Sequence, residues 1–97
     1  MRSRILLCYD VRDDKRLRRA ARVAETFGYR LQYSVFLCDL SQVERIRLDG
    51  ELKGVLDLSV DSVMLVDLGP AGAHSERRFR WLGTRRELYD PGEATIV

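Results

Sequence analysis

The sequence predicts a single α+β domain with the element order βαββαβ, and three observations lead to this prediction. Two short apolar runs, Ile5–Cys8 and Val63–Val66, lack polar alternation and are typical of strands covered on both faces. A longer strand-like stretch lies between them, and helix-start signals separate the three regions. A chain of 97 residues suits one hydrophobic core, so residues 1–97 are interpreted as one unit.

The first strand is predicted at Ser3–Asp10, and a helix follows it. Either Asp13 or Asp14 is placed to cap this helix, which runs to about Thr26 before Gly28 ends it. Its apolar positions recur at helical spacing and are Leu17, Ala20, Ala21, Ala24 and Phe27. The opposite face is cationic and carries Lys15, Arg18, Arg19 and Arg22. This face is either a solvated surface or a surface that binds phosphate groups.

The middle of the chain is predicted to form strand and then helix. Tyr29–Leu40 is long for one strand, so a bend or break is expected near Tyr33–Ser34. Ser41 and Glu44 have the spacing of a capping box, which predicts a second helix that continues to about Leu56. The sequence therefore provides two helices, and both can cover only one face of a sheet.

The last predicted strand is Asp61–Leu68, and its apolar run predicts a central position in the sheet. Arg78–Leu82 is a candidate for a short further strand, and the tail Ala94–Val97 for an extra C-terminal strand. The element order matches the ferredoxin-like arrangement. Because no third helix covers the second face, we expect a homodimer that packs sheet to sheet. Residues 84–97 are predicted to cross to the partner subunit.

The charge is concentrated in two groups of basic residues. The chain has 17 Lys and Arg against 15 Asp and Glu, for a formal net charge of +2. Five basic residues lie within Lys15–Arg22, and a second group consists of Arg77, Arg78, Arg80, Arg85 and Arg86. Arg predominates over Lys, which suits bidentate contacts with phosphate.

Several other classes of protein are disfavoured. Cys8 and Cys38 lie in apolar runs without a metal or disulfide spacing, so we interpret them as reduced thiols of a cytoplasmic protein. No segment is long enough to span a bilayer, and nothing resembles a signal peptide. His74 has no partner at a metal-ligand spacing and is interpreted as solvated.

Asp10 is the strongest candidate for chemistry. It leaves a buried strand beside the basic run, although its position alone is also explained if it merely ends the strand. The surrounding residues resemble the small CRISPR-associated nuclease family called Cas-two. The matching stretches are Leu7–Val11 (LCYDV), Asp14–Arg16 (DKR), Gly28–Phe36 (GYRLQYSVF), Leu40–Ser41 (LS), Asp61–Val63 (DSV) and Trp81–Gly83 (WLG), which together span almost the whole chain.

The resemblance implies a fold, an activity and partners. Members of the family are ferredoxin-like homodimers associated with metal-dependent cleavage of RNA or double-stranded DNA. They also form the central subunit of the spacer-capturing complex with the Cas-one integrase. By resemblance, Asp10 carries catalysis and Mg²⁺, or alternatively Mn²⁺, together with Asp10 of the second copy. The residues predicted to contact nucleic acid are Tyr9, Lys15, Arg16, Arg18, Arg19, Arg22, Arg77 and Arg78.

Two functions from different classes remain open on the sequence. The first is a Mg²⁺-dependent phosphodiesterase that uses the Asp10 pair. The second is a non-catalytic subunit that holds a DNA duplex between integrase units. Leu37 occupies a position where many relatives carry Glu, and this departure favours the second function. A toxin-type ribonuclease or a small regulatory domain is a weaker third interpretation.

Overall fold

The computed structural model describes residues 1–72 and 78–84 of the chain. Within these residues the elements follow the predicted order βαββαβ. They are β1 (Ser3–Asp10), α1 (Asp14–Phe27), β2 (Tyr29–Gln32), β3 (Val35–Leu40), α2 (Gln42–Val55) and β4 (Ser62–Pro70). The predicted break in the middle strand is confirmed, because a turn at residues 33–34 separates β2 from β3.

The four strands of the described chain form one antiparallel sheet in the order β2-β3-β1-β4. This is the ferredoxin-like topology, and it confirms the predicted fold class. β1 is central, whereas β4 lies at the edge of the described sheet, so the prediction of a central position for Val63–Val66 is wrong. An apolar run reports which faces of a strand meet apolar groups, and it does not report how many strands flank it.

The hydrophobic core lies between the sheet and the two described helices. Alternate residues of β1, namely Ile5, Leu7 and Tyr9, are buried on this face. Phe36 and Cys38 of β3 lie opposite Leu7 and Ile5 in the strand register and are fully buried. The helices contribute the buried residues Ala20, Ala24, Leu48 and Leu52.

Both helices begin at the capping residues that the sequence indicates. The backbone N–H of Arg16 donates to the carboxylate of Asp13 at 2.9 Å, so Asp13 and not Asp14 is the cap of α1. Ser41 and Glu44 form the complete capping box of α2, with reciprocal hydrogen bonds of 3.2 and 2.8 Å.

Gly28 ends α1 for a steric reason. Its φ of −166° is extended backbone, which any residue adopts, so a left-handed conformation is not what selects glycine here. A Cβ atom at this position would instead collide with the carbonyl of Leu37 and the Sγ of Cys38. The absence of a side chain therefore lets the end of α1 lie directly against β3.

The C-terminal part of the chain is only partly described. Residues 78–84 contain no strand, so the predicted strand at Arg78–Leu82 is wrong. Its alternating pattern fits a strand locally, but alternation does not supply a neighbouring strand with which to pair. The extra strand at Ala94–Val97, Arg77 and His74 lie outside the described residues, as does the tail 84–97 apart from Thr84. None of the described helices is long and apolar enough to cross a membrane.

Candidate metal and nucleic-acid site

Asp10 lies at the last position of β1, where its carboxylate is accessible. The side chain is 71% exposed, and its Oδ1 atom lies 3.9 Å from the Nε of Arg12. The register places Ser62, the first residue of β4, opposite Asp10. An exposed carboxylate on the last residue of a central strand is held rigidly at its backbone while its oxygens remain free to bind a ligand.

The side chain of Asp10 belongs to the face of the sheet opposite the helices. Ile5, Leu7 and Tyr9 point to the helices. Because successive side chains of a strand alternate between faces, Leu6, Cys8 and Asp10 lie on the opposite face of the sheet. We call this second surface the open face. The cross-strand residues that share it are Val35, Leu37, Met64 and Val66, together with the ion pair of Arg4 and Asp39.

In the described part of the chain, Asp10 does not belong to a cluster of metal ligands. Within residues 1–72 and 78–84, no group of three or more His, Cys, Asp or Glu side chains could hold a metal ion. A carboxylate oxygen is a ligand that Mg²⁺ prefers, and this ion commonly keeps several water ligands. The residues present therefore supply only part of the ligand set that such an ion needs. A second carboxylate, from another protein molecule, would complete the ligands that come from protein.

Leu37 adds no oxygen ligand to the open face. Its side chain is 3% exposed on the open face, opposite Leu6 of β1 and Tyr29 of β2. The residue is part of the apolar packing of that face. A carboxylate at this position would meet aliphatic and aromatic neighbours, which explains why leucine fits here.

Neither cysteine is prepared to act as a nucleophile. Burial raises the pKa of the Cys38 thiol to about 12, with a smaller contribution from the nearby charge of Asp39. Burial also raises the pKa of the Cys8 thiol. Both residues are therefore protonated thiols at neutral pH, and the chemistry available near Asp10 is that of a carboxylate and water.

Arg16, predicted to contact nucleic acid, is bound instead to Asp61. The Nε and Nη2 atoms of Arg16 donate to the two oxygens of Asp61 at 2.7 and 3.2 Å. The Asp61 side chain is 1% exposed and also accepts from the backbone N–H of Asp57 at 2.8 Å. Hydrogen bonding to Arg16 lowers the pKa of Asp61 despite its burial. This bidentate pair ties α1 to the loop that immediately precedes Ser62 and β4.

Tyr9 is also held inside the protein. Its ring is 6% exposed and stacks on Phe36 with a centroid distance of 6.0 Å. The guanidinium of Arg30 lies 5.0 Å from the centre of the Phe36 ring and interacts with the Tyr9 hydroxyl. Burial raises the pKa of that hydroxyl. The structure therefore gives the Tyr9 ring a packing role beneath the end of β1.

The cationic face of α1 is exposed, as predicted. Its members Lys15, Arg18, Arg19 and Arg22 all reach solvent, and none forms an ion pair within the described part of the chain. Arg78 is exposed as well, whereas Arg77 lies outside the described residues. The charge of the cationic face is thus available to an external anion.

The roles of Asp61 and Arg30 were not predicted from the sequence. Asp61 directly precedes an apolar strand, which is a weak signal because many strands begin after a polar residue. Arg30 and Tyr33 both lie in the stretch GYRLQYSVF, which matched the family resemblance as a motif without an assigned role for either residue. The surroundings of these two residues are formed only when β2 pairs with β3, so the sequence alone does not show them.

Comparison with known proteins gives a consistent result. A family model described as CRISPR associated protein Cas2 matches residues 1–74. A Synechocystis sp. protein named CRISPR-associated endoribonuclease Cas2 2 is 57% identical over 93 residues, which cover 95% of this chain and 96% of that protein. A Geobacter sulfurreducens protein named CRISPR-associated endoribonuclease Cas2 is 35% identical over 66 residues, covering 68% of this chain and 70% of the relative. A crystal structure of Streptococcus pyogenes Cas2 at pH 6.5 superposes with a TM-score of 0.71 and 30% identity, covering 82% of this chain and 99% of that one.

Proposed function

The chain belongs to the CRISPR-associated Cas2 family, and on this premise we propose that it is a homodimeric nucleic-acid-binding protein that hydrolyses phosphodiester bonds. Its proposed substrate is RNA, as the names of its relatives suggest, with double-stranded DNA as the alternative. The proposed setting is the capture of new CRISPR spacers beside the Cas-one integrase in the cytoplasm. The observation that carries the proposal is the exposed Asp10 carboxylate at the end of the central strand.

The composition of the open face supports a homodimer. Leu6 and Cys8 are half-buried apolar residues there, and Met64 is 59% exposed on β4, the edge strand of the described sheet. Apolar surface of this kind is stabilised when a second copy covers it. A two-fold axis close to Asp10 on this face would bring two copies of that carboxylate to one region, so two chains together would supply two carboxylate ligands.

Each group near Asp10 has a role that follows from its position. A Mg²⁺ or Mn²⁺ ion held by the two carboxylates would activate a water molecule and offset charge on the phosphodiester. Asp10 would hold one ligand position, and the Nε atom of Arg12 lies 3.9 Å from its Oδ1 atom. The pair of Arg16 and Asp61 fixes the start of β4 opposite Asp10. The cationic face binds the phosphate backbone without reading its sequence.

A cleavage assay tests the enzymatic part of the proposal. Wild-type protein, Asp10→Asn and Asp14→Asn should be incubated with labelled RNA and with duplex DNA, with Mg²⁺ or with a chelator. We expect cleavage by wild type and Asp14→Asn in Mg²⁺, and background cleavage by Asp10→Asn or in the chelator. Asp14 is a matched control because it is an exposed acid in the first turn of α1. Wild-type cleavage rates in the Asp10→Asn protein would exclude Asp10 as the catalytic residue.

A second candidate function is a non-catalytic scaffold that holds DNA for the integrase. Leu37 favours this function, because its buried apolar side chain supplies no oxygen ligand to the open face. The discriminating measurement is spacer acquisition in cells that carry Asp10→Ala. Unchanged acquisition supports the scaffold, whereas its loss together with intact DNA binding supports a catalytic contribution.

A further inference from the structure

The helix α2 has a second apolar side that faces away from the core. Leu48 and Leu52 are buried in the core, whereas Val43 and Ile46 are 66% and 67% exposed. An α-helix of about 3.6 residues per turn places Ile46 and Gly50 each about 160° around the axis from Leu48. We call the exposed side the outer stripe, and it consists of Val43, Ile46, Gly50 and Gly54. No residue of the described chain covers it.

The two glycines leave open space beside the exposed Ile46 side chain. A Cβ atom added at Gly50 or at Gly54 would meet no atom within 4 Å, so no contact in the described chain requires glycine at either position. Each glycine inside a helix costs about 1 kcal/mol relative to alanine. The backbone of α2 can therefore be approached closely from outside, and a bulky aliphatic side chain of a partner fits there.

Charged residues line both borders of the outer stripe. Arg47 and Glu51 form one border, and Asp49 and Lys53 form the other. All four side chains belong to exposed residues, and none takes part in an ion pair within the described part of the chain. Each border therefore presents one positive and one negative charge, one helical turn apart, to an external partner.

A second copy of α2 has the charges that complement these borders. When two identical helices pair antiparallel about a two-fold axis, each border faces the same border of the second copy in reverse order. With the axis near Gly50, Arg47 of one copy lies within one turn of Glu51 of the second. In the same way, Asp49 lies within one turn of Lys53 of the second copy. Symmetry makes each attraction occur twice.

We propose that the outer stripe of α2 binds the outer stripe of a second copy, antiparallel about a two-fold axis near Gly50. Ile46 of each copy then lies opposite Gly54 of the other, because both residues are four positions from the axis. The open face lies on the other side of the sheet, so both contacts are compatible and the protein assembles beyond the dimer. The proposed function does not require this contact. One helix pair is a small interface, so the association is weak and depends on concentration.

Sedimentation equilibrium of the full chain tests this pairing. Wild type, Ile46→Glu, Arg47→Glu and Glu51→Arg should be measured over a concentration series that reaches the millimolar range. An equimolar mixture of Arg47→Glu and Glu51→Arg is the decisive sample. Each of these two variants alone opposes like charges across the axis, whereas the mixture again opposes unlike charges. The three positions are exposed, so the fold should be retained, and circular dichroism verifies this.

The expected result is a set of species heavier than the dimer that depends on the outer stripe. Wild type should form them as its concentration rises, and Ile46→Glu should lose them while it keeps the dimer. Arg47→Glu and Glu51→Arg should each raise the dissociation constant of these species by about 5- to 30-fold, because each reversal changes two symmetry-related contacts. The mixture should return to within about threefold of wild type. Added salt should weaken the wild-type association.

Four other results would be equally informative. Wild type that stays dimeric at millimolar concentration would overturn the proposal, and a mixture as weak as its separate variants would overturn antiparallel pairing. If Ile46→Glu leaves the mass unchanged but abolishes spacer acquisition in cells, the outer stripe binds a different protein and the proposal is wrong. If Ile46→Glu blocks the first association step and Met64→Glu does not, the α2 contact is supported and the proposed open-face dimer is overturned.

Discussion

Arg16 and Asp61 join two segments that lie 45 residues apart, through a bidentate ion pair at 2.7 and 3.2 Å. The Asp61 carboxylate is almost completely inaccessible to solvent, while the Arg16 side chain is partly exposed. Their contact connects the first turn of α1 with the residue before β4. Because Ser62 of β4 lies opposite Asp10, the pair determines the geometry on one side of the candidate catalytic carboxylate.

The Arg16–Asp61 pair predicts a loss of stability in acid. The folded-state pKa of Asp61 lies below its unfolded value of about 3.9, so the stabilisation is present above that value. As the pH falls below about 4 and then through the folded pKa, the stabilisation is lost. The melting temperature of Asp61→Asn should be lower than that of wild type at pH 7, and the difference should shrink as the pH falls toward 3. A difference that does not depend on pH would contradict this account.

Arg16 and Arg19 should behave differently although both are arginines of α1. Arg19→Ala should reduce the slope of log affinity against log salt concentration by about one and leave the melting temperature nearly unchanged. Arg16→Ala should lower the melting temperature and change the salt slope much less, because its guanidinium is bound to Asp61. Binding titrations at several salt concentrations, combined with thermal melts, measure both quantities. If Arg16→Ala lowers the slope of log affinity against log salt concentration by a full unit, Arg16 does contact a phosphate group.

The open face predicts that a charge at Met64 disrupts the dimer. Met64→Glu places a carboxylate on apolar surface that a second copy would cover, so we expect the dimer dissociation constant to rise by about tenfold or more. Ile46→Glu is the matched control, because Ile46 is similarly exposed but belongs to α2, which packs on the other face of the sheet. Sedimentation velocity over a concentration series gives both constants. If the two substitutions change the dimer dissociation constant equally, or if neither changes it, the open face is not part of the dimer interface.

Gly28 and Gly50 predict opposite effects of the same substitution. Gly28→Ala forces a Cβ atom into the backbone of β3, so we expect a loss of about 1–3 kcal/mol or more in unfolding free energy. Gly50 lies inside α2, and a side-chain methyl at this position would point into open space, so Gly50→Ala should gain about 0.5–1 kcal/mol in unfolding free energy. Urea denaturation measures the two values. A neutral Gly28→Ala would show that α1 can move away from the sheet at little cost.

The parts of the fold that sequence predicted well depend on local signals. The cap of α1 at one of two adjacent acids, the capping box at Ser41 and the break before Val35 each involve residues within a few positions of one another. Position within the sheet is not a local property, and β4 was misplaced for that reason. Met64 and Leu65 of its apolar run are exposed, and its edge position in the described sheet follows from the path of the chain.

Charge pattern and family resemblance were sufficient to predict two parts of the candidate site. Asp10 and the cationic face were named from the sequence, and both are exposed. The ion pair with Asp61 occupies the charge of Arg16, and packing on Phe36 buries Tyr9; both partners lie far away in the sequence. The residues next to Arg16 in the sequence give no sign that its charge is paired, because its partner is 45 residues away.

The central position of β1 has a consequence for synthesis of the protein. Both strands that pair with β1 come later in the chain, and β4 follows α2. Until Ser62–Pro70 has been translated, one side of the apolar β1 strand has unpaired N–H and C=O groups. A nascent chain, or a fragment that ends after α2, therefore exposes a strand edge that can pair with other chains. Completion of the sheet is a late event in biosynthesis, and we expect chains truncated before β4 to aggregate.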